Sequence, residues 1–265
     1  MPLARYLFID GRYLRADYSR TVRAWFGNDG EIDLALVKKH FGADKMFYYD
    51  CLDDQQHSGE SPSDFAARVA KQEEEFNKIQ RISGSHIRLG SITGTKRNKR
   101  QKKVDILLAV DMMKHAVRQN MSHAILLAGD RDFEPVVETL VDLGLSIEVA
   151  GDKRSTSDDL IGAADHFHPL TFRNYYEWTS KSVQAIKPIP YVEQGNISAP
   201  SQDFTSVGTG SLEGSPCTLY QRATDFLLFF DSHPESPSSK LSILSHNLEH
   251  LKLFCMLYYG ELQGI

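Results

Sequence analysis

A chain of 265 residues with 41% hydrophobic and 25% charged residues has the make-up of an ordinary globular protein, long enough for one α/β domain plus an appendage and neither disordered nor fibrous. Its net charge of −5 speaks against an evenly basic surface, so a polyanion could be met only by a local patch. Three widely separated cysteines, Cys51, Cys217 and Cys255, form no Cys-x-x-Cys pair, which points away from a disulfide framework or a thiolate zinc site and towards a reducing, cytoplasmic setting.

Residues 5–10 are a short apolar run closed by Asp10-Gly11, the pattern of a buried strand feeding a loop. Runs at 45–50 and 86–92 read as two further strands, separated by helical spacing over 63–81. Residues 104–118 predict a helix whose apolar face is Ile106, Leu107, Val110, Met113 and Val117. A buried strand follows at 123–129, then a helix at 133–143 with Pro135 in its first turn and Asp132 in the N-cap position. A strand at 145–151, a short helix at 158–164 and an edge strand at 166–170 complete the alternation. Strands alternating with helices predict a mostly parallel sheet covered on both faces, with ligands beyond the carboxyl ends of its strands.

From 184 to 215 the chain is rich in Pro, Gly, Ser and Thr and reads as a linker. Beyond it, 219–231 and 240–259 predict two apolar-faced helices, able to dock on a partner, on a second copy or on the main sheet. The expected division is therefore a main domain over 1–180, a linker over 181–216 and a small helical C-terminal segment over 217–265. No run reaches the roughly 18 apolar residues of a membrane-spanning helix, and the opening segment is too short for a signal-peptide core.

Aspartates recur where strands or loops should meet the carboxyl edge of that sheet: Asp10, the pair Asp130 and Asp132, and Asp105 at the opening of a helix. Converging carboxylates are the ligands that a hard cation such as Mg²⁺ or Mn²⁺ prefers, and such an ion can lower the pKa of a water and offset charge on a phosphate under attack. Each aspartate also has a plainer reading, since Asp10 suits a turn before Gly11 and Asp132 suits a helix cap. Asp111, six positions beyond Asp105, falls about 120° away around a helix and is read as structural.

Immediately before Asp105, six of the eight residues from 96 to 103 are cationic: Lys96, Arg97, Lys99, Arg100, Lys102 and Lys103. Such a run binds phosphates without sequence preference; it could equally be a solvated loop or a localisation signal. Arg12 and Tyr13 follow Asp10, so a cation and a ring that could stack on a base accompany the first carboxylate, although the ring could simply pack. The ten histidines have no His-x-x-x-His spacing, and His166 and His168 read as packing or surface residues of an edge strand. Neither a phosphate loop nor a Gly-x-Ser-x-Gly elbow is present.

These residues also carry a resemblance to the NYN domain family, a LabA-like branch of the PIN-like nucleases. Phe8-Ile9-Asp10-Gly11-Arg12-Tyr13-Leu14 resembles the family's Asp-Gly-x-Asn-Leu opening, and Lys102-Lys103-Val104-Asp105 through Asp111 resembles Lys-Gly-x-Asp-(x)5-Asp. Leu127-Ala128-Gly129-Asp130-Arg131-Asp132-Phe133 through Pro135 is similar to Ser-Gly-Asp-Ser-Asp-Phe-x-Pro, and 157–167 matches the closing segment. The resemblance implies an α/β, PIN-like Rossmannoid three-layer domain with a mostly parallel sheet. It also implies metal-dependent cleavage of single-stranded or structured RNA, with Asp10, Asp105, Asp130 and Asp132 as catalytic, metal- or water-positioning carboxylates. Tyr13 stands in place of the family's Asn, Lys103 in place of Gly, and Ala128 and Arg131 in place of Ser. Arg131 could offer a guanidinium to phosphate. Two other readings remain: an RNA-binding regulatory module without turnover, and a phosphohydrolase acting on small phosphate esters.

Overall fold

A computed structural model describes residues 4–26, 31–93, 100–102, 104–186, 192–234 and 238–265. The chain forms two compact units, Met1–Arg23 with Ile32–Leu170, and Ala24–Glu31 with Thr171–Ile265.

In the first unit the elements run β1 (Arg5–Asp10), α1 (Gly11–Phe26), α2 (Leu34–His40), β2 (Lys45–Cys51), α3 (Pro62–Gln80), β3 (Ser85–Thr93), β4 (Arg100–Lys102) and α4 (Val104–Val117). They continue with β5 (His123–Leu127), a 3-10 turn (Arg131–Phe133), α5 (Glu134–Asp142), β6 (Ser146–Gly151), α6 (Asp158–Ala163) and β7 (His166–Pro169). The strand order is β4-β3-β2-β1-β5-β6-β7. Six strands from β3 to β7 are parallel, and β4 adds an antiparallel edge on β3.

Strands β1, β2 and β3 build outward in one direction, and the chain then returns to build β5, β6 and β7 on the other side of β1. The gap between β1 and β5 is thus the switch point of the sheet, where the connections leave in opposite directions and open a crevice at the carboxyl ends. Strand β1 is buried on both faces. Tyr6 and Phe8 join Phe47, Tyr49, Leu108, Met112, Leu126 and Val137 in one core cluster, while Leu7 and Ile9 of the alternate face are fully covered as well. That double burial explains why the strands read as continuous apolar runs.

Local chemistry sets the helix starts. Asp33 caps α2 by accepting from the Ala35 N–H at 2.9 Å, and Ser61 caps α3, followed by Pro62 in its first turn. Helix α5 begins differently from the expectation. Asp132 does not cap it: a 3-10 turn precedes α5, Asp130 caps that turn by accepting the Asp132 N–H on Oδ1 at 3.0 Å, and α5 itself follows Phe133 with no side-chain cap.

Helix α4 buries a face rotated from the one its apolar spacing suggested: of that face only Leu107 and Met113 pack against the core. Val104, Leu108, Asp111, Met112 and Ala116 face the core, whereas Ile106, Val110 and Val117 are 68%, 55% and 71% exposed. The helix is apolar nearly all round, so periodicity does not choose between its stripes. A polar anchor coincides with the choice: Asp111 is buried and accepts from the Tyr49 hydroxyl and from Arg88 Nε, both at 3.1 Å, and a buried carboxylate is tolerable only where such partners wait.

The second unit corrects the expected linker and helical tail. It contains α7 (Phe172–Trp178), α8 (Lys181–Ile186), β8 (Glu193–Gly195), β9 (Thr205–Leu212), β10 (Ser215–Arg222), β11 (Asp225–Phe230), β12 (Leu241–Ser245), α9 (Leu248–Tyr258) and β13 (Leu262–Gln263). The strands form an antiparallel sheet in the order β13-β9-β10-β11-β12-β8. Residues 219–231 are therefore two strands, the end of β10 and all of β11, joined by a two-residue turn in which Ala223 has φ 47°. Aromatic and branched side chains pack well on a pleated surface, and Leu219, Leu228 and Phe230 do so here.

The Gly- and Ser-rich stretch is the strand β9 rather than a linker, and at Gly210 it allows a close backbone approach. A Cβ at Gly210 would come within 2.3 Å of the Gln263 carbonyl oxygen. Among the described residues of 217–265 only α9 is helical, and its Leu251, Phe254 and Cys255 pack on the unit's own sheet. Among the described residues no helix is long and apolar enough to cross a membrane.

Candidate metal-dependent nuclease site

Aspartates gather at the carboxyl end of the parallel sheet because several strands finish on one. Asp10 ends β1, Asp50 is the penultimate residue of β2, Asp152 follows β6, and Asp130 stands three residues after β5. Asp105 is the second residue of α4. Asp10 and Asp130 therefore flank the switch point between β1 and β5.

Asp10 holds the start of α1: its Oδ1 accepts the N–H of Arg12 at 2.9 Å and of Tyr13 at 3.1 Å. Burial pushes its pKa above the ordinary carboxylate value against those two hydrogen bonds, and the charges of Asp105 and Asp50 push it further. Asp105 is raised in the same direction, first by desolvation and then by Asp130 and Asp132, with Arg12 opposing. A like charge disfavours ionisation of its neighbour, so the charge of Asp105 acts on Asp10 and those of Asp130 and Asp132 act on Asp105.

A second set at the same edge is neutralised. Asp50, fully buried, receives both Nη groups of Arg15, with Nη2 to Oδ1 at 3.0 Å, and Arg15 Nη1 also donates to the Tyr48 hydroxyl at 2.7 Å. Asp152, also buried, receives Arg154 Nε at 3.1 Å and Nη2 at 2.8 Å. Arg20 lies 3.6 Å from Asp152 and bonds to the buried Asp17. Burial alone would raise Asp152, yet Arg154 and Arg20 hold it below the ordinary range. By contrast, Asp10, Asp105, Asp130 and Asp132 make no salt bridge to any described residue.

Tyr13 lies between these sets. Its hydroxyl accepts the Asp152 N–H at 3.0 Å and shares hydrogen bonds with Ser155 Oγ at 3.1 Å and Thr156 Oγ1 at 3.0 Å. A Cβ on Gly129 would sit 2.3 Å from its ring, and one on Gly151 would sit 2.5 Å from its hydroxyl. Glycines near the ends of β5 and β6 are thus what allow the ring to lie there. The ring packs inside the fold, and its hydroxyl is fully engaged.

Arg131 is 68% exposed and pairs with Glu134 at 3.3 Å and Asp159 at 3.1 Å. Of the cationic run, Arg100 and Lys102 lie on β4, opposite Thr93 and Ser91 of β3; Lys96, Arg97, Lys99 and Lys103 lie outside the described residues. The residues that sequence reading passed over are Asp50 and Asp152, with Tyr48, Arg154 and Arg20 around them. Their signal was available, since each stands at the end of an apolar run, as Asp10 does.

Among the described residues no three His, Cys, Asp or Glu side chains are close enough together to enclose a metal ion by themselves. The donor set still suits a hard cation. It is all oxygen, it has no salt-bridge partner among the described residues, and Mg²⁺ commonly takes only one or two carboxylates directly and fills its octahedron with water and substrate phosphate. A cleft of about 530 Å³ on the second unit offers only Cys217 and Asp231 as titratable lining groups and shares no residue with the aspartates.

This parallel sheet with carboxylates at its switch point defines a PIN-like α/β domain. The NYN domain model matches residues 6–171, most of the chain, and the protein belongs to the NYN domain family, which is generally nuclease-like. A crystal structure of a protein of unknown function from Vibrio parahaemolyticus RIMD 2210633 is 16% identical, with a TM-score of 0.46, over 67% of this chain and 97% of that one. No curated protein matches.

Proposed function

We propose that the protein is a metal-dependent endoribonuclease, hydrolysing phosphodiester bonds of single-stranded or structured RNA with Mg²⁺ or Mn²⁺. One observation carries the reading: at one sheet edge, arginines pair with Asp50 and Asp152, while Asp10, Asp105, Asp130 and Asp132 make no salt bridge to a described residue and neighbouring carboxylates raise the proton affinity of Asp10 and Asp105. Like charges brought together in a folded protein cost stability unless a cation relieves them.

Asp10 and Asp130, on the two sides of the switch point, would be the principal ligands, with Asp105 and Asp132 reaching through water. The ion, when bound, would supply charge for the scissile phosphate and acidity for a water. The chain's own groups do the rest. Asp10 is held in one rotamer by the backbone of α1, and Asp130 by its cap on the 3-10 turn, so both are pre-oriented before substrate arrives. Asp105, with its raised proton affinity, is the carboxylate best suited to accept a proton from the attacking water. Arg12 stands beside it to hold a phosphate oxygen, and the cationic run at 96–103 would bind the neighbouring phosphates. Arg131 could join them by exchanging its exposed carboxylate partners for phosphate. Three free, buried cysteines accord with a reducing, cytoplasmic setting.

The test is incubation of the purified protein with labelled RNA and DNA under Mn²⁺, Mg²⁺ or EDTA, with Asp130→Asn alongside. RNA cleavage that needs metal and vanishes in the variant is expected; cleavage that persists in EDTA would overturn the reading. RNA binding without cleavage would instead select a regulatory module.

A further inference from the structure

A second constellation of titratable side chains lies on α2, β6 and β7, on none of the residues assigned above. His168 of β7 places Nδ1 3.2 Å from Glu148 Oε1. Its other nitrogen, Nε2, is 3.4 Å from Nε2 of His40, the last residue of α2. The two rings stand edge to face at 87° with centroids 5.3 Å apart. Glu148 is nine-tenths buried, and its second oxygen receives Arg5 Nη2 at 2.9 Å and faces His123 Nε2 at 3.4 Å.

A neutral His168 that donates from Nδ1 to the Glu148 carboxylate turns an Nε2 lone pair towards His40. Two imidazole nitrogens bound to one tetrahedral ion at 2.0–2.1 Å are separated by roughly 3.4 Å. The His40–His168 spacing therefore already equals one edge of a zinc coordination tetrahedron. A carboxylate on the far nitrogen of a metal-binding histidine is the usual outer support of such ligands, since it orients the ring and raises its basicity. Lys38, two residues from His40, is turned to the Ser83 carbonyl at 2.6 Å, so its charge is engaged elsewhere.

We propose that His40 and His168 form a binding site for a divalent transition-metal ion, Zn²⁺ by the chemistry of its donors, with water completing the coordination and Glu148 as the supporting carboxylate. Imidazole pairs select Zn²⁺, Ni²⁺ or Cu²⁺ over Mg²⁺ and Mn²⁺, so this site and the aspartate site differ in the ions they take. Exposed His40 leaves room for the water ligands. The bound ion would tie the end of α2 to the edge strand β7. The site does not depend on the nuclease reading.

Titration of the full-length, metal-free protein with Zn²⁺ by calorimetry, with Co²⁺ absorption as a second readout of tetrahedral coordination, tests it. One ion per chain is expected in wild type and in Asp130→Asn. Affinity should fall by about 10-fold or more in His40→Ala and His168→Ala, and by about 10-fold in Glu148→Gln. Because His40 is exposed, His40→Ala decides the matter even if the other two variants fold poorly. No Zn²⁺ uptake by wild type, uptake unchanged in His40→Ala, or uptake lost in Asp130→Asn but kept in His40→Ala would each overturn the proposal.

Discussion

The carboxyl edge of the parallel sheet holds two kinds of aspartate within one short arc. On the flanks, Asp50 and Asp152 are buried and matched by Arg15, Arg154 and Arg20; in the centre, Asp10, Asp105, Asp130 and Asp132 make no salt bridge to a described residue, and burial with neighbouring carboxylate charge raises the proton affinity of Asp10 and Asp105. The same residue type at the same kind of position thus does opposite work. A paired carboxylate is part of the scaffold, since breaking the pair leaves an uncompensated charge in a dry place. An unpaired one stores repulsion that a cation or a proton can relieve, which is what a metal-dependent site requires and a scaffold does not.

The comparison breaks most sharply at Asp130. Asp130→Asn should lower RNA cleavage by about 100-fold or more while thermal unfolding stays where it was, because an amide oxygen still accepts the Asp132 N–H. Unfolding of the variant near ambient temperature would make Asp130 a scaffold residue. Next in size is Gly129→Ala. Its Cβ would meet the Tyr13 ring at 2.3 Å and the Ser155 carbonyl oxygen at 2.5 Å, a clash with backbone that should cost about 2–3 kcal/mol in urea unfolding.

On the paired flank, Arg15→Ala should lose about 2 kcal/mol, less than for a wholly buried pair because its side chain is 46% exposed and water partly replaces it. Unchanged stability there would erase the distinction between flank and centre. The smallest effect is expected at Asp105→Asn, with the opposite sign. The folded-state pKa of Asp105 lies above its ordinary value, so its ionisation opposes folding as pH rises. The metal-free variant should therefore gain stability over wild type as pH rises through that raised pKa, and match it at pH below 3.8, where both states hold the proton. Urea midpoints measured across the acid-to-neutral range read this directly.

Much of the first unit was legible along the chain. The buried strands β1, β2, β5 and β6 were continuous apolar runs bounded by Gly or Asp, and their alternation with helices already required a parallel sheet. Two features were not. Helix α4 carries apolar residues on almost every side, so its spacing offered two faces, and Ile106, Val110 and Val117 made the wrong one plausible. Only Arg88 and Tyr49, reached across the sheet, show why Asp111 turns inward. The second unit was misread for a related reason. The apolar run at 219–231 fits helix or strand, while the glycines of β9 look like linker until β13 is laid against Gly210.

By itself, the sequence determined which residues the aspartate site could draw on and the order in which strands and helices alternate, because strand burial and turn chemistry are local properties. The tertiary structure decided which aspartates are neutralised, where Tyr13 lodges and which side of α4 is hidden. Those outcomes depend on charges and volumes brought together from far apart in the chain, and an electrostatic or steric partner has no signature in its neighbour's sequence. The same holds for His40 and His168, 128 residues apart, whose facing nitrogens no spacing rule along one chain could have paired.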